Sequence, residues 1–496
     1  MNAAEPLRIA AFDNRYARLP PGFFVRQRPT PVAQPRLLVF NHALAGALGL
    51  RLDGLDDQAL AALFSGNVLA EGSDPLAMAY AGHQFGSFVP QLGDGRAILL
   101  GEVLDRDGRR RDLQLKGAGR TPYSRRGDGR AALGPVLREY LLSEHLHALG
   151  IPATRALAAV ATGETVLRER PLPGAILTRV AASHIRVGTF QFLRARGDLD
   201  GLRQLADHVI DRHYPQVRDQ AQPYRALLRA VAQAQAALVA QWLSVGFVHG
   251  VMNTDNMAVS GETIDFGPCA FLEHYDPDAV FSAIDEGGRY AYSRQGPMAQ
   301  WNILCLAEAL LPLLDAQHER AVDSANEEIG AFAPAFEALW LERMRAKLGL
   351  ARAAAGDAAL VDDWLALLYA ARADFTLSFR ELCAAAADPN EAGPRARCAD
   401  AAAYDRWILR WRQRLQAEER TPAECARAMR ACNPAYIARN HRVEQALDAA
   451  IERGDLAPFH RLLAVLSRPY EEQAESAAYA LAAAPGEAVL RTFCGT

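Results

Sequence analysis

The strongest constraint on this chain is a change of texture near residue 198. Before it, short runs of alternating apolar residues are broken by glycine turns. After it, the sequence is almost continuously Ala, Leu and Arg at helical spacing. Period-two runs bounded by Gly and Asp read as strands, and apolar positions recurring every three to four residues read as helices. A strand-rich first part followed by a helix-rich second part predicts an α+β fold of two lobes with a cleft between them. At 496 residues and 50% hydrophobic content the chain has ample material for its cores.

Strands are expected at 88–92, 97–104, 111–116, 164–168 and 175–180, the first three forming an antiparallel meander that ends on Lys116. "LGPVLREYLLSEHLHALG" reads as a helix, with Pro135 in its first turn and Gly150 as its stop. A long amphipathic helix is expected over 224–244, stopped by Gly246. "FVHGVMNTDNMAVSGETIDFG" then reads as a loop, a short hairpin turning at Ser260-Gly261, and a second loop. The expected division is an N-terminal extension over 1–75 that packs on the lobes, a strand-rich lobe over 76–185, and a helical lobe with a helical extension over 186–496.

Composition narrows the partners. A net charge of −4 gives no general drive toward nucleic acid or anionic membrane. No basic n-region precedes an apolar run, and no stretch nears the roughly 18 apolar residues of a membrane span. The seven cysteines are scattered, without a C-x-x-C pair. Reduced thiols in a cytoplasmic protein are the expectation, and a monomer is expected. Only two of the 54 basic residues are lysines, Lys116 and Lys347. Arg and Lys are not interchangeable, so a lysine kept among arginines at 116 suggests a site that needs a compact point charge. Lys347, in an Ala/Arg/Leu helix, carries no such signal.

Asp255, Asn256 and Asp265 offer hard oxygen ligands of the kind Mg²⁺ shares with substrate phosphates. A polar hairpin with capping Asx residues would look the same in isolation. Order decides between them. A Gly-rich turn between strands, a lysine ending the next strand, a helix carrying Glu139, then "HGVMNTDN" and "IDFG" follow the order of a protein-kinase-like fold. With His249 and Asn256 aligned to that catalytic loop, the usual aspartate position holds Val251, which cannot accept a proton. Asp255 can act as base from a shifted position. The turn "GDGRA" keeps Gly93 and Gly95 but has Arg96 where a third glycine belongs. Lys116, Arg120, Arg125, Arg126, Arg130, Arg179 and Arg186 crowd the strand-rich part. So much charge suggests that a triphosphate tail lies there, with its α-phosphate near Asp255. Attack at that phosphorus would transfer AMP and release pyrophosphate.

"YAGHQFGSFVPQLGDGRAILLGE", "LQLKGAGRTPYSRRGDGRAAL", "HGVMNTDNMAVSGETIDFGP" and "NPAYIARNH" resemble the selenoprotein O family (SelO, also called YdiU), from about residue 75 to the C-terminus. The resemblance implies a protein-kinase-like fold, ATP bound in a flipped orientation, and AMP transfer to Ser, Thr or Tyr hydroxyls of proteins. By motif it places Gly93, Gly95 and Arg96 against ATP, and Lys116 on the phosphates with Glu139 orienting it. Asp128 and Gly129 would line the nucleotide site, and Arg179 and Arg186 would hold the distal phosphates. Asp255 becomes the proton acceptor, and Asn256 and Asp265 the ligands of Mg²⁺, with Mn²⁺ as the second choice. Many relatives have Tyr where this chain has Phe266, a change expected to matter little. Some relatives carry selenocysteine third from the end, where this chain has Cys494; the family suggests a redox role there, with Cys269 one candidate partner, though a buried inert thiol is the plainer reading of Cys269. No zinc site is expected, and His249 reads as a structural loop residue. The alternatives are an ordinary kinase, a uridylyltransferase using UTP, and a catalytically dead, redox-regulated nucleotide-binding scaffold.

Overall fold

A computed structural model describes residues 7–388, 390–391 and 393–493. Its strands, in chain order, are β1 (Phe24–Arg26), β2 (Arg36–Phe40), β3 (Leu76–Met78), β4 (Gly82–Gln84), β5 (Ser87–Val89), β6 (Ala97–Leu104), β7 (Arg110–Lys116), β8 (Ala131–Ala132), β9 (Arg155–Leu167), β10 (Pro171–Ala181), β11 (Phe247–Val248) and β12 (Ala270–Phe271). The helices are α1 (His42–Ala47), α2 (Asp57–Phe64), α3 (Leu133–Ala148), α4 (Val187–Ala195), α5 (Leu199–His213), α6 (Pro223–Ser244) and α7 (Gln295–Leu314). Helices α8 to α15 occupy His318–Leu466, so the part after the texture change is helical as expected.

Eight strands form one antiparallel sheet in the order β1-β3-β6-β7-β10-β9-β2, with β8 attached to β10. Both faces are covered. Leu113 and Leu115 of β7 join Ile98, Ile176 and Phe64 in a core under α1 and α2. Leu99 and Leu177 join Leu137 and Leu141 of α3 in the core on the other face. Side chains alternate along a strand. If Leu113 and Leu115 face α2, Gln114 and Lys116 must face α3. Register continues the pattern, because Arg179 lies opposite Gln114 and Leu177 opposite Lys116. Two alternating strands thus deliver a lysine and an arginine to the same face.

Three local expectations are corrected. The strand expected at 88–92 is only Ser87–Val89, and it pairs with β4 in a separate ribbon rather than with β6. The meander is therefore the β6–β7 hairpin alone, flanked by β3 and β10. The segment 256–267 turns at Ala258–Gly261, as read, but its arms do not pair with each other. Ala258 bridges to Arg186 and Thr263 to Ala153 instead. Each arm finds a partner exposed on another element, which outcompetes a short hairpin of its own.

Among the described residues one helix, Tyr292–Leu314, is long and apolar enough to cross a membrane, and half of it is buried within the fold.

Candidate active site

The pairing of β11 with β12 closes an excursion that carries residues 249–269. His249 braces it from inside, its Nε2 lying 2.9 Å from the Ile264 carbonyl oxygen and its backbone N–H donating to Gln295 Oε1 at 2.9 Å. It is fully buried, as a structural loop histidine should be. Burial lowers its pKa, so it stays neutral. Asp255 lies in a short 3-10 turn, Thr254–Asn256, and Asp265 stands at the end of the excursion with φ +64. A left-handed aspartate is uncommon and persists only where its surroundings hold it.

The surroundings of Asp265 are cationic. Lys116 Nζ donates to Asp265 Oδ1 at 2.9 Å and to Glu139 Oε2 at 2.6 Å. Arg179 bonds both Glu139 and Asp265, and Arg186 Nη1 donates to Asp265 Oδ2 at 2.9 Å. The same Arg186 nitrogen donates to the Asp255 carbonyl oxygen at 2.7 Å, so one guanidinium ties the two loop carboxylates' segments together. Its plane also lies over the Tyr80 ring, 4.6 Å from the centroid. Burial alone would raise the Asp265 carboxyl, but Arg179, Lys116 and Arg186 outweigh it and hold it well below the ordinary range. Glu139 is lowered for the same reason, with Arg179 and Lys116 overcoming its burial. Asp255 behaves oppositely. It is buried, no cation among the described residues bonds its carboxylate, and burial raises its pKa. Two neighbouring carboxylates are thus pushed in opposite directions, the pattern that separates a fixed anion from a group able to take a proton.

These side chains line one cavity of about 730 Å³. Gly93, Gly95, Arg96, Asp128 and Gly129 line it too. The turn at Gly93–Gly95 is held by the loop that follows Lys116. Thr121 Oγ1 donates to the Asp94 carbonyl at 2.7 Å, and Ser124 Oγ bonds the Gly95 carbonyl. Gly93 has φ +118, and a Cβ there would strike the Tyr123 ring. Arg168 grips Asp128 through two nitrogens at 2.8 and 3.1 Å. The cavity wall includes Arg125, Arg126, Arg130 and Asn256, and also Val251, which is 7% exposed. All twelve residues proposed from the sequence for nucleotide, metal, base and lysine support therefore meet at one place. Cys494 lies outside the described residues. Cys269 is buried, with its thiol donating to the Phe266 carbonyl at 3.3 Å.

Several residues of the site escaped the sequence reading. Asp94, between two glycines, read only as a turn residue. It is 2% exposed and accepts from the Met78 N–H and from Gln114 Nε2. Arg138 donates to the carbonyls of Gly267 at 3.0 Å and Cys269 at 2.6 Å, clamping the backbone beyond Asp265. Thr492 straps the same segment from the far end of the chain. It bridges to Ser282 and bonds the Pro268 carbonyl through its hydroxyl. Gln84 lay inside a motif without a role of its own. Nothing local marks Arg138 or Thr492, since their partners are distant in sequence.

Divalent-metal chemistry fits this donor set. Asn256 commits its amide nitrogen to the Val251 carbonyl at 3.2 Å, which leaves its oxygen as the atom for a ligand. No group of three or more His, Cys, Asp or Glu among the described residues is arranged for a metal. With one amide oxygen and the Asp265 carboxylate, the remaining ligands would be water and phosphate, which is how Mg²⁺ is commonly held.

Comparison with known proteins agrees in extent as well as in motif. The chain matches the family described as "Protein adenylyltransferase SelO" over residues 6–467, which takes in the N-terminal segment that the motifs left out. It is 61% identical over 486 residues to a protein nucleotidyltransferase YdiU of Rhizobium rhizogenes, covering 98% of this chain and 97% of that protein. It is 59% identical to proteins of the same name from Rhizobium meliloti and Rhodopseudomonas palustris, covering 98% of this chain and 99% of each relative.

Proposed function

The chain belongs to the SelO protein adenylyltransferase family, and we propose that it transfers AMP from ATP to Ser, Thr or Tyr hydroxyls of other proteins, with release of pyrophosphate. A protein nucleotidyltransferase is what the family and the relatives' names support. The nucleotide, its orientation and the site roles are our reading.

One observation carries it. The cavity holds a buried valine, Val251, where a kinase-type base would stand, and a buried carboxylate, Asp255, four residues on. In a protein-kinase-like two-lobed reading, the sheet is the upper lobe and the helices from α4 onward the lower one. Lys116, Arg179 and Arg186 then converge where kinases keep adenine away from charge. A triphosphate would take over from Asp265 as their partner, its distal phosphates innermost, which is the flipped orientation. Gly93, Gly95 and Arg96 would contact ATP along the turn, and Asp128 and Gly129 would flank it. Asn256 and Asp265 would hold Mg²⁺, or Mn²⁺ in its place. When bound, the metal supplies charge neutralisation at the phosphates. Asp255 would accept the proton of the acceptor hydroxyl as that oxygen bonds to the α-phosphorus. The bond from the α-phosphorus to the bridging oxygen breaks, and pyrophosphate leaves.

Incubating the protein and an acceptor with ATP labelled at the α- or the γ-phosphate tests this. Covalent label from the α position only is expected, and label from the γ position only would refute it. Competition with UTP in the same assay separates uridylylation, with ATP expected to win.

A further inference from the structure

Three consecutive loop residues, 253 to 255, are each bonded to the β4–β5 hairpin. Asn253 Oδ1 accepts from the Phe85 N–H at 3.0 Å, Thr254 Oγ1 from the His83 N–H at 2.7 Å, and Asp255 Oδ2 from Gln84 Nε2 at 3.4 Å. Gly82, at the start of the hairpin, has no side chain, and a Cβ there would collide with Asp255 Oδ1. The hairpin is braced from behind. Gln191 of α4 lies 2.8 Å from His83 Nδ1, and the His83 ring meets Trp301 of α7 edge-on at 5.3 Å. Its tip is braced too, where Phe85 has φ +52 and packs on Tyr290, whose hydroxyl donates to Asn253 Oδ1 at 2.6 Å. A non-glycine residue held at positive φ signals a conformation set by its surroundings.

This arrangement does more than support a loop. Among the described residues, Gln84 is the only side chain that donates to the Asp255 carboxylate. The other oxygen, Oδ1, is buried without a hydrogen-bond partner. Oδ1 lies against the hairpin backbone at Gly82, so the hairpin contacts both oxygens of this carboxylate. We infer that Gln84 is a positioning residue for Asp255: by holding Oδ2, while Oδ1 packs against Gly82, it fixes the carboxylate's rotation in the cavity wall. The inference rests on the reading of Asp255 as proton acceptor. At 3.4 Å the Gln84 bond is long, as such bonds often are before substrate tightens them.

The test uses the full-length protein with Gln84→Ala and Gln84→Glu, alongside Asp255→Ala. Loss of orientation at a reacting group costs about 10²-fold, so Gln84→Ala is expected to lower kcat by that order while the KM and the directly titrated Kd for ATP stay within about threefold. Gln84→Glu keeps the shape but sets a second carboxyl against Asp255, and is expected to lose more. Gln84 is half-buried, so neither change opens a core cavity; if Ala lowers Tm, the isosteric Glu variant decides the question. Wild-type kcat in both Gln84 variants with a dead Asp255→Ala overturns the positioning role and leaves the base intact. A raised KM for ATP with kcat unchanged also overturns it. An active Asp255→Ala overturns the base reading itself.

Discussion

Glu139→Gln is the most informative single change in the cavity wall. Glu139 is 4% exposed and bonds Lys116 through Oε2 and Arg179 through Oε1. Lys116, Arg179 and Arg186 face the two carboxylates Glu139 and Asp265 across this network. Replacing the carboxylate by an amide of the same shape leaves Lys116 and Arg179 with Asp265 as their one ion-pair partner among the described residues, and turns an N–H₂ toward one of them. Breaking one side of a buried pair costs about 3–5 kcal/mol. Asp265 still compensates part of the charge, so the lower end applies, about 3 kcal/mol or roughly 3 °C in Tm for a chain of 496 residues. The sign with pH follows from the lowered pKa of Glu139, which Arg179 and Lys116 cause against its burial and against nearby Asp265. Its stabilisation is fully present above the ordinary glutamate value of 4.5 and is lost as pH falls through the lower folded value. The gap between wild type and variant is therefore widest at pH 7 and closes in acid. Melting curves at pH 7 and pH 4, with labelled-ATP transfer at pH 7, check both parts; transfer should fall about 10²-fold as Lys116 loses its orientation. A variant that melts with wild type at pH 7 and transfers at the wild-type rate would refute the reasoning.

Four other outcomes follow from the same geometry. Asp265→Ala removes the proposed metal ligand and the carboxylate that Lys116, Arg179 and Arg186 share, so transfer should drop about 10³-fold or more in the labelled-ATP assay. Lys116→Arg keeps the charge but cannot present one compact ammonium to both Glu139 and Asp265; initial rates should fall about 10²-fold, and a wild-type rate would mean that any cation suffices. Gly93→Ala forces a side chain at φ +118 against Tyr123, and the strain should weaken ATP binding about tenfold by calorimetric titration. Lys347 is buried with its ammonium 4.2 Å from the Phe379 ring centre, and burial pulls its pKa down to about 8. Lys347→Met should therefore stabilise by about 1–3 kcal/mol at pH 7 in urea melts. The wild type gains stability as pH rises from about 8 toward 10.5, so the advantage of Met shrinks there.

The sheet face that carries the chemistry was readable because strand alternation leaves little freedom. Once Leu113 and Leu115 are taken as core, Lys116 has only one side to face. Glu139 was readable from its place in a helix with a marked start and stop. What the chain did not disclose locally is long-range pairing. The turn at 258–261 looks like a hairpin in sequence, yet its arms bond to Arg186 and Ala153. Strands β1 and β2 lie in a Pro- and Arg-rich stretch too short and irregular to show period two, and they pair with elements far along the chain. Asp94 looks exposed because glycines flank it, and only the burial beneath Met78 and Gln114 makes it structural. Arg138 differs from its neighbouring arginines only in what its helix is packed against. Each miss turns on a contact whose partner is distant, so it has no periodic signature.

The strap at Thr492 also sets an order of events during synthesis. It bonds the Pro268 carbonyl across 224 positions of sequence, three residues beyond the Asp265 whose charge organises the cavity. Synthesis at about 5–20 residues per second takes roughly 10–45 s to cross that interval. For that time a nascent chain carries the glycine turn, Lys116, Asp255 and Asp265 with the segment beyond Asp265 untethered. The closing contact needs residue 492, so the segment beyond Asp265 gains this tether only after residues 269–491 have been made.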